Sequence, residues 1–180
     1  MIPGSERAKL LQIARSSIAA LLEGKRYEPE IPPSGPLAEP RGAFVTLTRG
    51  GRLRGCIGRV LAEEPPARVV ADMAVAAARD DYRFESVGAD ELAEIRIEIS
   101  ALTPPLPVRD PSEISVGRDG LILRRGNRSG LLLPQVAGEE GWSTERFLEE
   151  TCRKAGLPPG AWREGASIER FEAEVWGEEG

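Results

Sequence analysis

GAFVTLTRGGRLRGCIG, residues 42–58, decides the fold of this chain because it encodes a β-hairpin. Residues 42–48 and 52–57 are two runs rich in β-branched and apolar side chains, the composition of β-strands. Gly50-Gly51 separates them, and a two-residue glycine connection supplies the positive φ angles that hairpin turns need. The stretch therefore predicts two antiparallel strands joined by a tight turn.

Alternation along the second strand predicts where its side chains point. Successive residues of a strand face opposite sides of the sheet. We therefore expect Leu53, Gly55 and Ile57 on one face, with Arg54 and Cys56 on the other. This arrangement would place a thiol and a guanidinium on one surface.

The rest of the chain switches between helical and strand patterns. Helical spacing of apolar residues occupies 5–23, 65–79 and 143–155, and β-like runs occupy 95–102, 120–125, 129–133 and 168–176. Prolines between residues 29 and 40 exclude helix and central strand, so this segment is expected to be a surface loop. Hairpin strands with few helices predict an α+β fold in which helices cover an antiparallel β-sheet.

Composition removes several classes of function. The chain has 180 residues, no histidine and two cysteines, Cys56 and Cys152. Without histidine there is no Ser-His-Asp triad, no Cys-His dyad and no zinc site that needs imidazole. We predict neither a metal nor a cofactor. No apolar run approaches the roughly 20 residues that span a bilayer, and the N-terminus lacks a signal-peptide pattern, so we expect a cytoplasmic protein without a membrane partner.

Charge is distributed unevenly. The net charge of −5 argues against nucleic acid as the main partner. Residues 40–62, called the basic segment below, nevertheless contain no acidic residue and five arginines: Arg41, Arg49, Arg52, Arg54 and Arg59. The basic segment predicts a site for phosphate, carboxylate or an acidic peptide. The alternative is a solvated hairpin whose arginines pair with glutamates of the C-terminal strand.

Cys56 is the first candidate for chemistry. It lies between Gly55 and Gly58, and glycine allows another group to approach the backbone closely. A thiol beside an arginine and exposed amides is a candidate nucleophile. The alternative is a buried cysteine that packs as a small apolar residue, which is the commoner case. Cys152 lies on the apolar stripe of its helix and is expected in the core.

Two other polar residues are candidates. Asp81, in the pair Asp80-Asp81, is a candidate base or cation ligand, and the alternative is a solvated helix end. Gln135 follows an apolar strand and is a candidate ligand-binding residue, and the alternative is a buried hydrogen bond to a loop.

Several strings along the chain carry a family resemblance. LRGCIG at 53–58 occurs with GAFVTL at 42–47, DYRF at 81–84, IEISAL at 97–102, LLLPQVA at 131–137 and FLEETCRKAGLP at 147–158. In this order and spacing they resemble the AMMECR-domain family, which includes "AmmeMemoRadiSam system protein A", found beside a Memo-like protein and a radical-SAM enzyme. The resemblance covers nearly the whole chain.

The resemblance implies a fold and a site. It implies one AMMECR-type domain over residues 1–180 with two unequal lobes, both termini in the larger and a candidate smaller lobe at 104–140. It also implies a cleft near LRGCIG. By motif match, the site residues are Arg54, Gly55, Cys56, Gly58, Arg83 and Gln135. Tyr82 stands where the family often has proline, which puts the geometry of Asp81 and Arg83 in doubt.

Three functional hypotheses follow. The leading one is binding of an anionic ligand or peptide in a cleft at LRGCIG, with Cys56 as nucleophile or redox thiol and Arg54 and Arg83 as anion ligands. The rival is a non-catalytic adaptor that docks on a Memo-like or radical-SAM partner. The third is a nucleic-acid-linked binding role, against which the acidic balance counts. The sequence leaves enzyme and binding protein both open.

Overall fold

A computed structural model of the chain describes residues 1–61 and 63–178. The chain divides into two compact units. The first comprises Met1–Leu102 together with the chain from Glu174 onward, and the second comprises Thr103–Ala173. Both units combine helices with antiparallel strands, so the predicted α+β class is confirmed. The expected smaller lobe at 104–140 covers only part of the second unit, and the division into lobes stays a prediction.

The first unit has two helices against a sheet. Its elements are α1 (Gly4–Leu22), β1 (Ala43–Arg49), β2 (Arg52–Arg59), α2 (Pro66–Arg79) and β3 (Ile95–Leu102). The strand order is β2-β1-β3, so β2 is an edge strand. The last residues of β7 (Ser167–Gly177) follow next to β3. Residues 29–40 form neither helix nor strand, as their prolines predict, although Leu37 is buried.

The core of the first unit lies between the helices and one face of the sheet. Alternate residues of β1 and β3 are buried together with apolar residues of both helices: Val45, Leu47, Ile97, Ile99, Leu10, Ile18, Val69 and Val70. Burying each such side chain contributes about 1.5 to 3 kcal/mol. The period of two in β1 and the helical period in α2 therefore face each other, which explains why these segments form strand and helix.

A β-bulge shifts the register of the hairpin. Gly50 and Gly51 both have positive φ, 57° and 75°, as the glycine pair predicts. The pairing then shifts after Thr48, which faces Leu53, whereas Leu47 faces Gly55. Arg54 is the inserted residue. Leu53 therefore shares a face with Thr48, and the expectation that it shares one with Gly55 and Ile57 is wrong because the bulge interrupts the alternation.

Gly55 allows α2 to approach the sheet. A Cβ atom built at Gly55 would lie 2.1 Å from the carbonyl oxygen of Ala77 in α2. Gly58 has a different neighbour, since its Cβ would lie 2.1 Å from the Phe44 ring across the strand pair. Both glycines of the LRGCIG string are thus explained by packing.

In the second unit, too, a helix packs against a β-hairpin. Its elements are β4 (Leu106–Pro107), β5 (Asp119–Arg125), β6 (Arg128–Leu132), α3 (Pro134–Glu139), α4 (Thr144–Lys154) and most of β7. Leu121, Phe147 and Leu148 form its centre. The predicted hairpin and the helix at 143–155 are confirmed. Helix α3 was not predicted, because six residues are too few to show helical periodicity.

Within the described ranges, no helix has both the length and the apolar character that a membrane crossing requires.

Substituting Gly55 tests the close approach of α2. The Gly55→Ala variant places a methyl group against backbone, which cannot move aside as a side chain can. We expect the free energy of unfolding in urea to fall by about 3 kcal/mol. Gly4→Ala is the matched control, because a Cβ at Gly4 meets nothing within 4 Å. Equal stability of the two variants would contradict the packing argument.

Candidate functional site

The backbone of Cys56 points off the edge of the sheet. Cys56 in β2 lies opposite Thr46 in β1. Its amide nitrogen donates to Asp81 Oδ2 at 2.9 Å and not to β1. In an antiparallel pair, a residue whose amide points away from the neighbouring strand also points its carbonyl away. Both backbone groups of Cys56 therefore face the unpaired edge of β2.

Asp81 is held at this edge by the end of α2. The helix ends at Asp80, and a turn closes where the Phe84 amide donates to the Asp81 carbonyl at 3.0 Å. The Asp81 carboxylate accepts from Arg83 Nε at 2.9 Å and Arg83 Nη2 at 2.7 Å, in addition to the Cys56 amide. Only 5% of Asp81 is exposed.

The charge of Asp81 is fixed by these partners. Hydrogen bonds from the Arg83 guanidinium, with smaller contributions from the amides of Cys56 and Arg83, hold the pKa of Asp81 well below its usual range despite its burial. A carboxylate in this state accepts hydrogen bonds steadily but accepts a proton poorly. Asp81 therefore has the character of a structural anchor for Cys56 and Arg83.

Arg83 binds the second backbone group of Cys56 at the edge of β2. Its Nη2 lies 3.4 Å from the Cys56 carbonyl oxygen, so Asp81 and Arg83 together occupy both backbone groups that a neighbouring strand would bind. We call this arrangement the edge cap. The Arg83 side chain is 43% exposed and its guanidinium lies 5.5 Å from the centre of the Phe84 ring. Among the described residues, none accepts a hydrogen bond from Arg83 Nη1.

The thiol of Cys56 is half-buried and contacts a side chain of the neighbouring strand β1. The Thr46 hydroxyl donates to Cys56 Sγ at 3.2 Å. Sequence reasoning missed Thr46, because an unbroken hairpin from the glycine turn would have put Gly55 opposite it. The bulge at Arg54 brings Thr46 and Cys56 together instead.

Arg54 binds the connector that follows α2. Its Nε and Nη2 donate to the two Glu91 carboxylate oxygens, both at 2.9 Å, and its Nη1 donates to the Glu85 carbonyl at 2.7 Å. Hydrogen bonds from Arg54 and the Gly88 amide lower the pKa of Glu91 to about 2. The Arg54 guanidinium is thus largely occupied by the protein itself.

Most of the basic segment is paired with nearby acids. The ion pairs are Arg41–Glu174, Arg49–Glu91, Arg49–Glu94, Arg54–Glu91 and Arg59–Glu64. Within residues 1–61 and 63–178, Arg41 alone among these arginines pairs with a glutamate of the C-terminal strand, which the sequence suggested as the partner for all of them. In the part of the chain that the structure describes, Arg52 has no ion pair.

The remaining candidates lie elsewhere. Gln135 is exposed in α3 of the second unit, and its role as a ligand contact stays a prediction. Cys152 is fully buried in α4, as expected, and burial raises the pKa of its thiol. Over residues 1–61 and 63–178, no group of three His, Cys, Asp or Glu side chains is arranged to hold a metal ion.

Removing the charge of Asp81 tests the edge cap. We expect Asp81→Asn to lower the free energy of unfolding at pH 7 by about 2 to 3 kcal/mol, because a buried charged acceptor is lost. The folded pKa lies below the unfolded value of about 3.9, so the stabilisation is complete above pH 5. Below about pH 4 the difference between wild type and variant should shrink by about 1.4 kcal/mol per pH unit.

Urea unfolding at pH 7 and pH 3 measures this difference. Asp80→Asn is the control, since Asp80 is exposed and its carboxylate pairs with the adjacent Arg79. A difference between wild type and Asp81→Asn that is as large at pH 3 as at pH 7 would show that the charge of Asp81 is not what stabilises the edge.

Comparison with known proteins places the chain in a family. The AMMECR1 family model matches residues 11–176. Protein MK0488 of Methanopyrus kandleri is 48% identical over 181 residues, with 94% of this chain and 87% of that protein covered. Protein PF1979 of Pyrococcus furiosus is 46% identical over 184 residues, with the same shares covered.

A solved structure agrees with this placement. The crystal structure of uncharacterized protein PH0010 from Pyrococcus horikoshii is 43% identical and matches with a TM-score of 0.80, over 94% of this chain and 90% of that one. Sequence and fold therefore agree, and the chain belongs to the AMMECR1 family.

Proposed function

We propose that the chain binds an anionic ligand, a small molecule or an acidic peptide, at the surface of Cys56 and Arg83, with the Cys56 thiol as its reactive group. The observation that carries this proposal is the edge cap, in which Asp81 holds the Arg83 guanidinium against the backbone of Cys56. A cation is thereby fixed at the edge of β2 next to the residue that carries the thiol.

Arg83 supplies the binding charge. It forms an ion pair with Asp81, yet the two side chains differ in exposure, at 43% for Arg83 and 4% for Asp81. The cationic member therefore faces the solvent and the anionic member faces the protein. The Nη1 donors of Arg83 and the geometry of guanidinium suit a carboxylate or a phosphate.

Cys56 supplies the reactive atom. The hydrogen bond from Thr46 fixes the position of Sγ, and the backbone of Cys56 is fixed by Asp81. A nucleophile held in one orientation beside a bound ligand reacts faster than a mobile one. In this proposal Asp81 positions both groups and does not act as a base, because its carboxylate oxygens already accept from Cys56 and Arg83.

Arg54 and Gln135 have secondary places in this function. Arg54 holds the connector that carries Asp81 and Arg83, through Glu91 and the Glu85 carbonyl. It acts as a positioning residue for the binding surface. Gln135 stays a candidate contact for the ligand, and the proposal does not depend on it.

The adaptor alternative also has an observation in its favour. Tyr82 is 96% exposed and stands within the edge cap sequence, and Leu53 on β2 is 42% exposed. Exposed aromatic and aliphatic side chains suit docking of a partner protein, here a Memo-like or radical-SAM protein. The nucleic-acid alternative has less support, because neighbouring glutamates neutralise most of the basic segment.

Two reagents of similar size but different charge test the proposal. Iodoacetamide is neutral and iodoacetate is an anion, so the ratio of their alkylation rates at Cys56 measures attraction of anions independently of thiol exposure. We expect Cys56 to react in the folded protein, Cys152 to react only after unfolding, and added salt to lower the iodoacetate rate selectively. Peptide mass spectrometry after timed quenching measures both rates.

Variants assign the attraction to Arg83. Arg83→Gln should lower the iodoacetate-to-iodoacetamide ratio by about threefold to tenfold at low salt, whereas Arg83→Lys should keep most of it. Arg52→Gln is the matched control, since Arg52 belongs to the same strand but has no ion pair in the described structure. If Cys56 is not alkylated until the protein unfolds, the thiol is not the reactive group and the adaptor alternative gains.

A further inference from the structure

The first unit contains a cavity that the site at Cys56 does not use. Its volume is about 410 Å³, and its lining comes from the end of α1, the segment after it, α2 and the last residue of β2. Arg59 reaches it from β2, where it lies opposite the buried Ala43 and so faces the helices. Cys56, by contrast, lies opposite Thr46 on the other face.

Residues 25–27, which follow the glycine that ends α1, form one wall of this cavity. Gly24 has a φ of 70°, and the amides of Gly24 and Lys25 donate to the carbonyls of Leu21 and Ala20 at 3.0 and 2.8 Å. This pair of hydrogen bonds is a Schellman motif, which ends the helix and redirects the chain. Residues 25–27 therefore present their side chains to the cavity directly after the helix.

The charged side chains that line the cavity are mostly cationic. Its lining includes four cations and two carboxylates, namely Lys25, Arg26, Arg59, Arg79, Asp72 and Asp80. Arg79 and Asp80 pair with each other at 2.7 Å. The other three cations each contact one glutamate outside the cavity: Lys25–Glu23, Arg26–Glu28 and Arg59–Glu64.

These three glutamates are weak competitors for the cations. Their side chains are 62%, 56% and 46% exposed, and exposed ion pairs contribute little free energy. Glu28 also binds Arg68 at 2.5 Å, so it keeps a cationic partner when Arg26 turns to a ligand. A dianion can therefore bind Lys25, Arg26 and Arg59 without leaving a buried carboxylate that lacks a cationic partner.

The remaining lining of the cavity suits a ligand that has an aromatic ring and hydroxyl groups. Tyr27 contributes a ring, and Leu21, Ala71 and Val75 contribute apolar surface. Asp72 is half-buried, and its carboxylate has no ion-pair partner among the described residues. A ligand hydroxyl or amine therefore finds an acceptor at Asp72 on one side and an aromatic ring on the other.

We propose that this cavity binds a nucleoside monophosphate, with the phosphate at Arg26 and Arg59, the base against Tyr27, and ribose hydroxyls donating to Asp72. A cavity of about 410 Å³ falls within the usual range for small-ligand sites of roughly 300 to 1,000 Å³. Phosphate binding by arginine and base stacking on an aromatic ring are both common in nucleotide recognition. The site is separate from that proposed at Cys56.

Isothermal titration calorimetry with AMP tests this inference. We expect saturable binding with a stoichiometry of one, and weaker binding of the two parts of the ligand, inorganic phosphate and adenosine. The double variant Arg26→Gln/Arg59→Gln should weaken AMP binding by about tenfold or more, because hydrogen bonds to the charged phosphate are lost. Tyr27→Leu should weaken binding of AMP and adenosine but not of phosphate. Arg52→Gln is the control and should leave AMP binding unchanged.

Two results would overturn the inference: no saturable AMP binding to the wild type, or binding that the double variant and Tyr27→Leu leave unchanged. Circular dichroism identifies a variant that has lost its fold, and the single variants Arg26→Gln and Arg59→Gln, both at exposed side chains, then replace it. Cys56→Ser separates this inference from the proposed function. AMP binding should survive that substitution even if the alkylation experiment fails, and the alkylation ratio should survive Arg26→Gln/Arg59→Gln even if AMP does not bind.

Discussion

The hydrogen bond from the Cys56 amide to the Asp81 carboxylate is the contact on which the candidate site depends. An edge strand exposes amides and carbonyls that need partners, and β2 has no strand on its outer side. Asp81 supplies an acceptor and Arg83 a donor at the position where a next strand would have supplied both. The same two side chains hold a guanidinium against the backbone of Cys56, so the contacts that close the edge also position the groups of the candidate site.

Local pairing explains why the basic segment is not a general polyanion surface. The arginines of the hairpin form ion pairs with acidic residues that follow them within a few dozen positions, chiefly Glu91, Glu94 and Glu64. Cationic groups are nevertheless accessible at Arg83 and at the cavity beside Arg59. Arg83 lies at the unpaired edge of β2, whereas Arg59 lies on the side of the sheet that the helices cover. The cavity adds Asp72, a carboxylate without an ion pair among the described residues.

The sequence predicted the elements better than the contacts between them. The positive φ at Gly50 and Gly51, the helix at Pro66–Arg79 and the burial of Cys152 all follow from short-range rules of turn chemistry and periodicity. The bulge at Arg54 does not, since one extra residue in a strand leaves no mark in composition. The bond between Asp81 and Cys56 links a side chain to a backbone group across a helix, and no spacing rule encodes such a bond.

The edge cap binds the main chain of residue 56 and places no requirement on the type of its side chain. Asp81 and Arg83 bind the amide and carbonyl of Cys56, which every residue except proline offers equally, whereas the sulfur accepts a hydrogen bond from the Thr46 hydroxyl. Serine or alanine at this position would leave the cap intact. The architecture thus accounts for aspartate at position 81 but not for sulfur at position 56. We therefore expect the two positions to tolerate substitution differently. Folding requires the aspartate at position 81, whereas only the chemistry of the site requires the cysteine at position 56.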